Sequence, residues 1–105
     1  MREADGLAMS SRNVYLNPAE RRAATVLFRS LSAAKSAFDA GERNAETLRR
    51  LVREIVAGEP LAHLQYVSCA DYDTLEELES VIGKTLLSMA VHLGKTRLID
   101  NFVLG

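Results

Sequence analysis

The spacing of apolar residues changes once along the chain, near Leu61, and this change limits the folds that the sequence can adopt. Before it, apolar residues recur at three- and four-residue steps, as they do on one face of a helix. After it, side chains alternate in twos or form short apolar runs, which is typical of strands. A length of 105 residues is enough for one domain. We therefore predict an α+β fold, in which a helix pair packs on a small antiparallel β-sheet.

Two helices are predicted between residues 17 and 57. The first runs from Pro18 to about Ala40, because Asn17 can cap it and Glu20 can complete a capping box. Its apolar stripe consists of Ala23, Leu27, Leu31, Ala34 and Phe38. The second runs from about Ala45 to Ala57, with Asn44 as its cap. A short loop between them favours an antiparallel pair.

The sheet is predicted between residues 61 and 104. The first strand surrounds Leu64–Cys69, and a second, buried strand covers Thr85–Leu93. Gly94-Lys95 is a two-residue hairpin turn, after which Thr96–Val103 returns antiparallel. Between the first two strands, Asp73–Leu78 is predicted to form a single helical turn, with Thr74 and Glu77 as its capping pair.

Composition excludes several classes of protein. The chain is 48% hydrophobic and 26% charged, which argues against disorder, and its net charge of −1 does not favour a nucleic-acid surface. The arginines of the helices are interspersed with glutamates and lack interleaved aromatic residues, so we expect no nucleic-acid partner. No apolar run approaches membrane length, so we expect no membrane partner. A single cysteine suits a reducing compartment, and we expect the protein to be cytoplasmic.

Metal sites are not indicated by the pattern of potential ligands. His63, Cys69 and His92 lack the spacing of a zinc site, and Cys69 in mid-strand is expected to be buried. An acidic cluster near the middle of the chain is interpreted as a solvated face; it comprises Asp71, Asp73, Glu76, Glu77 and Glu79. We therefore assign no metal ligand.

The residues with the most distinctive chemistry lie near the start, in Met9-Ser10-Ser11-Arg12-Asn13. Two hydroxyls and a guanidinium supply several hydrogen-bond donors and one fixed positive charge. The planar fork of an arginine suits a phosphate, so the ligand indicated by this chemistry is a phosphate or polyphosphate. A solvated polar loop is the alternative, and it is the more common outcome for such a tetrapeptide.

The longer stretch from Arg2 to Leu16, READGLAMSSRNVYL, closely resembles the signature that opens the C-terminal domain of the pantothenate synthetase (pantoate–β-alanine ligase) family. A second stretch, from Leu87 to Asn101, resembles the closing hairpin of the same family, with Gly-Lys-Thr-Arg-Leu-Ile-Asp-Asn at 94–101. The resemblance covers the whole chain, and its most specific motifs lie at the two ends.

The resemblance implies an adenylate-forming reaction. In this family ATP and pantoate give pantoyl adenylate and pyrophosphate, and the amine of β-alanine then releases AMP. The family's Met-Ser-Ser-Arg loop contacts ATP, which implies that Met9 lies by the adenine, while Ser10, Ser11 and Arg12 hold the phosphates. Mg²⁺ is expected to arrive with the ATP. A cation at the departing pyrophosphate would stabilise the transition state.

The resemblance also implies a division of labour along a longer protein. Residues 1–105 would be a single C-terminal lid domain of a Rossmann-like ligase, with residues 1–16 as the ATP-contacting loop, 17–57 as the helix pair and 61–104 as the sheet. The N-terminal Rossmann-like domain, with its His-x-Gly-His motif and its pockets for pantoate and β-alanine, is absent from these residues. We therefore assign no catalytic residue and expect the isolated domain to be inactive. The full-length protein is expected to be a homodimer.

One alternative from a different class remains. No complete active site is present in the sequence, so the chain could instead be a free-standing α+β protein-interaction module that binds a partner through its helix pair. An upstream Rossmann-type sequence in the same reading frame would favour the ligase.

Overall fold

A computed structural model describes residues 2–8 and 10–105, and at Ser11 and Val14 it describes the main chain only. A short 3₁₀ helix, Ser11–Tyr15, precedes three α-helices: α1 (Pro18–Ala23), α2 (Val26–Asp39) and α3 (Ala45–Ala57). Three strands follow, namely β1 (Ala62–Asp71), β2 (Thr85–Leu93) and β3 (Thr96–Leu104). The α+β prediction is confirmed, with α2 and α3 packed together against one face of the sheet.

The helix starts are where the cap residues predicted them. The Asn17 side chain accepts a hydrogen bond from the Glu20 N–H, and the Glu20 side chain accepts one from the Asn17 N–H, so the capping box is complete. Asn44 likewise accepts a hydrogen bond from the Thr47 N–H and opens α3. Each cap satisfies an N–H group that has no partner inside the helix.

The prediction of one continuous helix from Pro18 to Ala40 is wrong. The helix is interrupted at Ala24 and Thr25, where the Thr25 hydroxyl donates a hydrogen bond of 2.8 Å to the Arg22 carbonyl. The Thr25 N–H contacts the same carbonyl at 3.3 Å, in a three-residue rather than a four-residue step. A threonine hydroxyl competes for backbone carbonyls in this way and tightens the turn. The apolar stripe continues through the break, because Ala23 and Leu27 are both buried.

The sheet has the order β1-β2-β3, with both pairs antiparallel. The hairpin between β2 and β3 has the predicted Gly94-Lys95 turn, and Leu93 pairs with Thr96. β1 contains a bulge, because Leu64 pairs with Val91 and Tyr66 pairs with Ala90, which leaves Gln65 unmatched. The bulge moves Tyr66 and Ser68 to the face opposite Leu64, so the simple alternation predicted for this strand is interrupted there.

The predicted helical turn over Asp73–Leu78 is also wrong. Leu75 has a φ of 61°, outside the helical region. The Asp71 carboxylate accepts hydrogen bonds from the N–H groups of Asp73 and Thr74, and these bonds hold its pKa below the usual 3.8. Glu77 does not cap a helix; it forms an isolated bridge with Ala70 at the edge of β1. An Asx-type turn at Asp71 therefore forms in place of the predicted capping box.

The core lies between the helices and the inner face of the sheet. Its largest fully buried side chains include Leu27 and Leu31 of α2, Leu48 of α3, and Leu87 and Met89 of β2. Leu7 belongs to the same cluster, so the N-terminal segment is anchored in the core at this residue. Within the described part of the chain, none of the helices has both the length and the apolar character needed to span a bilayer.

Candidate functional site

The polar N-terminal segment, residues 2–16, begins with an anchor to β3. The two terminal nitrogens of Arg2 donate to the Asp100 carboxylate at 2.5 Å (Nη1 to Oδ2) and 2.9 Å (Nη2 to Oδ1). Asp100 is only 5% exposed, so its charge is buried against that of Arg2. The guanidinium also lies over the rings of Phe28 and Phe102, at 4.9 and 4.8 Å from their centroids. A bidentate ion pair enclosed by two aromatic rings fixes the start of the segment.

A second anchor joins the segment to α1. The Arg21 guanidinium donates to Asp5 at 2.6 Å and to Glu3 at 3.1 Å. The hydrogen bond from Arg21 lowers the pKa of Asp5 below its usual 3.8, and the same contact raises the pKa of Arg21. Asn13 donates to Glu3 at 2.6 Å and to the Ala8 carbonyl at 3.1 Å, which ties the two halves of the segment together.

Gly6 makes the turn that follows the anchoring residue Asp5. Its φ is +91°, and a Cβ at this position would clash with the Phe28 ring, whose Cγ would lie 2.7 Å away. The backbone therefore approaches the ring as closely as only a glycine allows. Leu7 follows and is buried. The segment is thus held on both sides of this turn by charge, by packing and by backbone geometry.

Beyond these anchors, the segment borders an open cleft of about 640 Å³. This volume is within the range of small-molecule sites. One wall is formed by Arg12 and Tyr15 of the 3₁₀ helix together with Glu20 of α1. The other wall is the hairpin tip, which we define as residues 94–97. The residues that line the cleft are Arg12, Tyr15, Glu20, Gly94, Lys95, Thr96 and Arg97.

Positive charge predominates in this cleft, with Arg12, Lys95 and Arg97 against the carboxylate of Glu20. Arg12 Nη1 donates to the Arg97 carbonyl at 3.2 Å, and Arg97 Nε donates to Gln65 Oε1 at 2.5 Å. Among the described residues, none of these three cations forms an ion pair with a carboxylate. A cleft with excess positive charge and further unused donors can accept a polyanionic ligand.

The four residues predicted to contact the ligand are only partly accounted for by this geometry. Met9 lies outside the described residues, as does the side chain of Ser11. Ser10 and Arg12 are exposed. They lie close together in space, because the Ser10 hydroxyl accepts a hydrogen bond of 3.1 Å from the Arg12 N–H. A hydroxyl that accepts one bond can still donate its own proton, so Ser10 keeps a donor for an anion.

The hairpin tip was missed as part of the site by reasoning from the sequence. The pattern at Gly94-Lys95 predicts only a turn, although Gly-Lys-Thr-Arg also carries two cations within four residues. The two positive charges within residues 94–97 were the sequence feature that could have indicated this part of the site. Asp100 lies in the middle of β3 and pairs with Arg2, a contact that the spacing of residues along the sequence does not predict.

The remaining polar clusters have structural contacts. Glu77 accepts hydrogen bonds from Ser68, from the Cys69 N–H and from Arg49. Burial raises its pKa, but these bonds and the Arg49 charge outweigh that effect and lower it. Burial raises the pKa of the Cys69 thiol, as expected for an inert buried cysteine. No group of three or more potential metal ligands occurs in residues 2–8 and 10–105.

Comparisons with known proteins agree on one family. The family model for pantoate–beta-alanine ligase matches residues 1–103. The chain is 62% identical over 104 residues to a pantothenate synthetase from Roseiflexus castenholzii, covering 99% of this chain and 37% of that protein. It is 57% identical over 105 residues to one from Pelotomaculum thermopropionicum, covering 100% of this chain and 37% of that protein.

The three-dimensional comparison gives the same result. A crystal structure of pantothenate synthetase from Thermus thermophilus superposes with a TM-score of 0.90 at 36% identity, over 97% of this chain and 37% of that one. The chain therefore spans little more than a third of the length of the relatives it matches. It belongs to the pantoate–beta-alanine ligase family.

Proposed function

We propose that this chain is the ATP-facing lid domain of a pantoate–β-alanine ligase. The complete protein would condense pantoate and β-alanine with ATP through pantoyl adenylate and would release pyrophosphate and AMP. The observation that carries the proposal is the rigidly anchored segment that presents Ser10 and Arg12 at a cleft with excess positive charge. Family membership supplies the chemistry that this geometry would serve.

The residues present fit a nucleotide polyphosphate. The Arg12 guanidinium has five N–H donors, of which one contacts the Arg97 carbonyl, so others remain for phosphate oxygens. Ser10 would donate its hydroxyl proton to the same group. When pantoate displaces pyrophosphate, negative charge grows on the leaving group, and a fixed guanidinium stabilises that charge. In this proposal Met9 and Ser11 complete the loop, with Met9 against the adenine.

Mg²⁺ would reach the site on the phosphates of ATP. Magnesium commonly keeps several water ligands and binds to substrate phosphates with few protein ligands. The proposal therefore requires no dedicated metal cage in this domain. The phosphate-binding cations and hydroxyls of the chain would hold the complexed nucleotide, and they would not hold the ion itself.

The other proposed properties concern the complete protein. Pantoate and β-alanine would bind to the N-terminal Rossmann-like domain, and closure of the present domain over ATP would exclude water. The isolated domain would be inactive because it lacks both of those pockets. The complete protein would be a cytoplasmic homodimer; the buried free thiol of Cys69 suits a reducing compartment.

The test is pyrophosphate release on addition of pantoate and Mg-ATP to the complete enzyme. This chain can be studied in its own longer protein or fused behind the N-terminal part of the Roseiflexus castenholzii relative. Arg12→Ala should lower turnover by about 10²–10³, as does the loss of other transition-state donors. Arg50→Ala is the matched control, because Arg50 is an exposed arginine on α3, outside the cleft.

Three outcomes are informative. Release that collapses in Arg12→Ala but not in Arg50→Ala supports both the reaction and the role of the loop. Release that survives Arg12→Ala removes Arg12 from the chemistry. A well-folded complete protein that releases no pyrophosphate contradicts the ligase proposal and favours the protein-interaction module.

A further inference from the structure

We propose that the hairpin tip is a second phosphate-binding wall of the cleft, in which Lys95 binds the pyrophosphate portion of ATP and the main chain of Arg97 positions Arg12. This inference rests on the proposed function and adds a role for residues at the opposite end of the sequence from the N-terminal loop. It follows from three contacts, which join the hairpin to the loop, to β1 and to α1.

The first contact is the hydrogen bond from Arg12 Nη1 to the Arg97 carbonyl, at 3.2 Å. Arg12 is exposed, and a long exposed side chain samples many rotamers unless something holds it. A carbonyl in the β3 ladder is a rigid acceptor, because the paired strands fix it. The bond therefore limits where the guanidinium can point, although it occupies only one donor.

The second contact fixes the hairpin tip at Arg97. Arg97 Nε donates to Oε1 of Gln65, the residue left unmatched by the β1 bulge. A bulge places its extra residue outside the regular ladder, where its side chain can reach across the sheet. Gln65 thus ties β1 to the Arg97 side chain on β3, although β2 lies between these two strands.

The third contact brings the hairpin turn against α1. Gly94 has a φ of +60°, and a Cβ there would overlap Oε2 of Glu20. The other carboxylate oxygen of Glu20 accepts the Asn17 N–H in the capping box, so this carboxylate is held in place. The turn consequently lies close to α1, and Lys95, the next residue, lines the same cleft as Arg12.

Lys95 has the chemistry of a phosphate ligand at this position. Its side chain is exposed, and it forms no ion pair with any carboxylate among the described residues. A lysine is a compact charge on a flexible stem, so it can follow an anion as the cleft fills. Arg12 and Lys95 line the same cleft from two different segments of the chain, so both could contact the same polyphosphate.

The experiment compares Lys95→Gln, Lys95→Arg and Lys84→Gln in the complete enzyme. Lys84 is the control because it is an exposed lysine at the other end of β2, where it lies 4.1 Å from the Tyr72 ring centroid. The measurements are KM for ATP, KM for pantoate, and the inhibition constants of pyrophosphate and AMP. Equal melting temperatures would show that each variant is folded.

The two inhibitors separate a phosphate contact from a general loss of fit. We expect Lys95→Gln to raise both KM for ATP and the pyrophosphate inhibition constant about tenfold, as expected for one lost charge-assisted hydrogen bond. The AMP constant and KM for pantoate should change less than about twofold, since AMP lacks the β- and γ-phosphates. Lys95→Arg should restore most of the affinity, because it keeps the charge.

The inference is overturned if the unaltered enzyme is active and Lys95→Gln has the same inhibition constant for pyrophosphate as Lys84→Gln. It is also overturned if AMP and pyrophosphate weaken equally, because the loss is then not specific to the phosphates. Absence of pantoate-dependent pyrophosphate release in the unaltered enzyme is a different result, and it contradicts the proposed function itself.

Discussion

The carboxylate of Asp100 lies beneath the guanidinium of Arg2, with two N–O distances of 2.5 and 2.9 Å, and joins the two ends of the chain. The carboxylate is buried, whereas the arginine is 28% exposed. Phe28 and Phe102 enclose the pair and pack edge to face, with ring centroids 5.8 Å apart. The N-terminal segment therefore depends on β3 for its position.

Removing Arg2 should destabilise the chain more than removing an exposed cation. Arg2→Met leaves the Asp100 charge buried without a partner, so we expect a loss of about 3 kcal/mol in the free energy of unfolding. Lys35→Met is the control, since its pair with Asp39 is exposed and should be worth less than about 0.5 kcal/mol. Urea unfolding measures both. Asp100→Asn added to Arg2→Met should recover part of the lost stability. If Arg2→Met and Lys35→Met destabilise the chain equally, this account is contradicted.

Gly6→Ala should be strongly destabilising. The substitution combines an unfavourable φ of +91° with a clash against Phe28, and we expect a cost of at least about 2 kcal/mol. Gly83→Ala offers a matched control, because no described residue outside its immediate neighbours comes within 4 Å of the added Cβ. That change should stay within about 0.5 kcal/mol of zero. Thermal unfolding of both variants measures this difference. A Gly6→Ala variant as stable as Gly83→Ala would show that the turn at Gly6 can relax to admit a Cβ.

The contact between Asp5 and Arg21 should give a pH-dependent contribution to stability. Because Arg21 lowers the pKa of Asp5 in the folded chain, the contact stabilises the folded state above the unfolded pKa. That contribution is lost as the pH falls below 3.8 and through the folded value. Asp5→Asn should therefore be less stable than the unaltered chain at about pH 7, and the difference should shrink toward about pH 2.

Urea unfolding over a series of pH values would test the Asp5 prediction. In an Arg21→Ala background, Asp5→Asn should produce a smaller pH-dependent difference, because the main partner that lowers the pKa of Asp5 is gone and only backbone N–H contacts such as that of Leu7 remain. A difference that persists unchanged in that background would assign the effect to another contact of Asp5.

The turn at Gly94 should be coupled energetically to Glu20. Gly94→Ala should cost about 1–2 kcal/mol for the left-handed backbone alone, with a further cost for displacing the Glu20 carboxylate. In a Glu20→Ala background only the backbone cost should remain, so a double-mutant cycle should show a coupling of at least about 0.5 kcal/mol. Additive effects would mean that the carboxylate moves aside freely.

The parts of this fold that were predictable are those determined by residues close in sequence. Asn17 and Asn44 cap their helices through residues three positions away, and Gly94-Lys95 joins neighbouring strands. The break at Ala24 and Thr25 was not predictable from periodicity, because the apolar stripe runs through it unchanged. The turn after Asp71 was missed because the sequence there satisfies two local patterns, a capping box and an Asx turn.

The candidate site was predictable on one side only. Its N-terminal wall has a recognisable motif, so Ser10 and Arg12 could be named in advance. Its other wall depends on the placement of β3 beside that loop, and the pairings of Arg12 with Arg97 and of Arg2 with Asp100 span most of the chain. Such contacts follow from tertiary packing, on which spacing along the sequence carries no information.

Because the helix is interrupted after Ala23, α1 makes different contacts from α2. α2 belongs to the core, whereas the six residues of α1 hold the loop through Arg21 and face the hairpin through Glu20. α1 therefore connects the N-terminal loop to the hairpin tip. A displacement of α1 at the Ala24–Thr25 turn is therefore expected to disturb the loop through Arg21 and the hairpin turn through Glu20, because both contacts come from the same short helix.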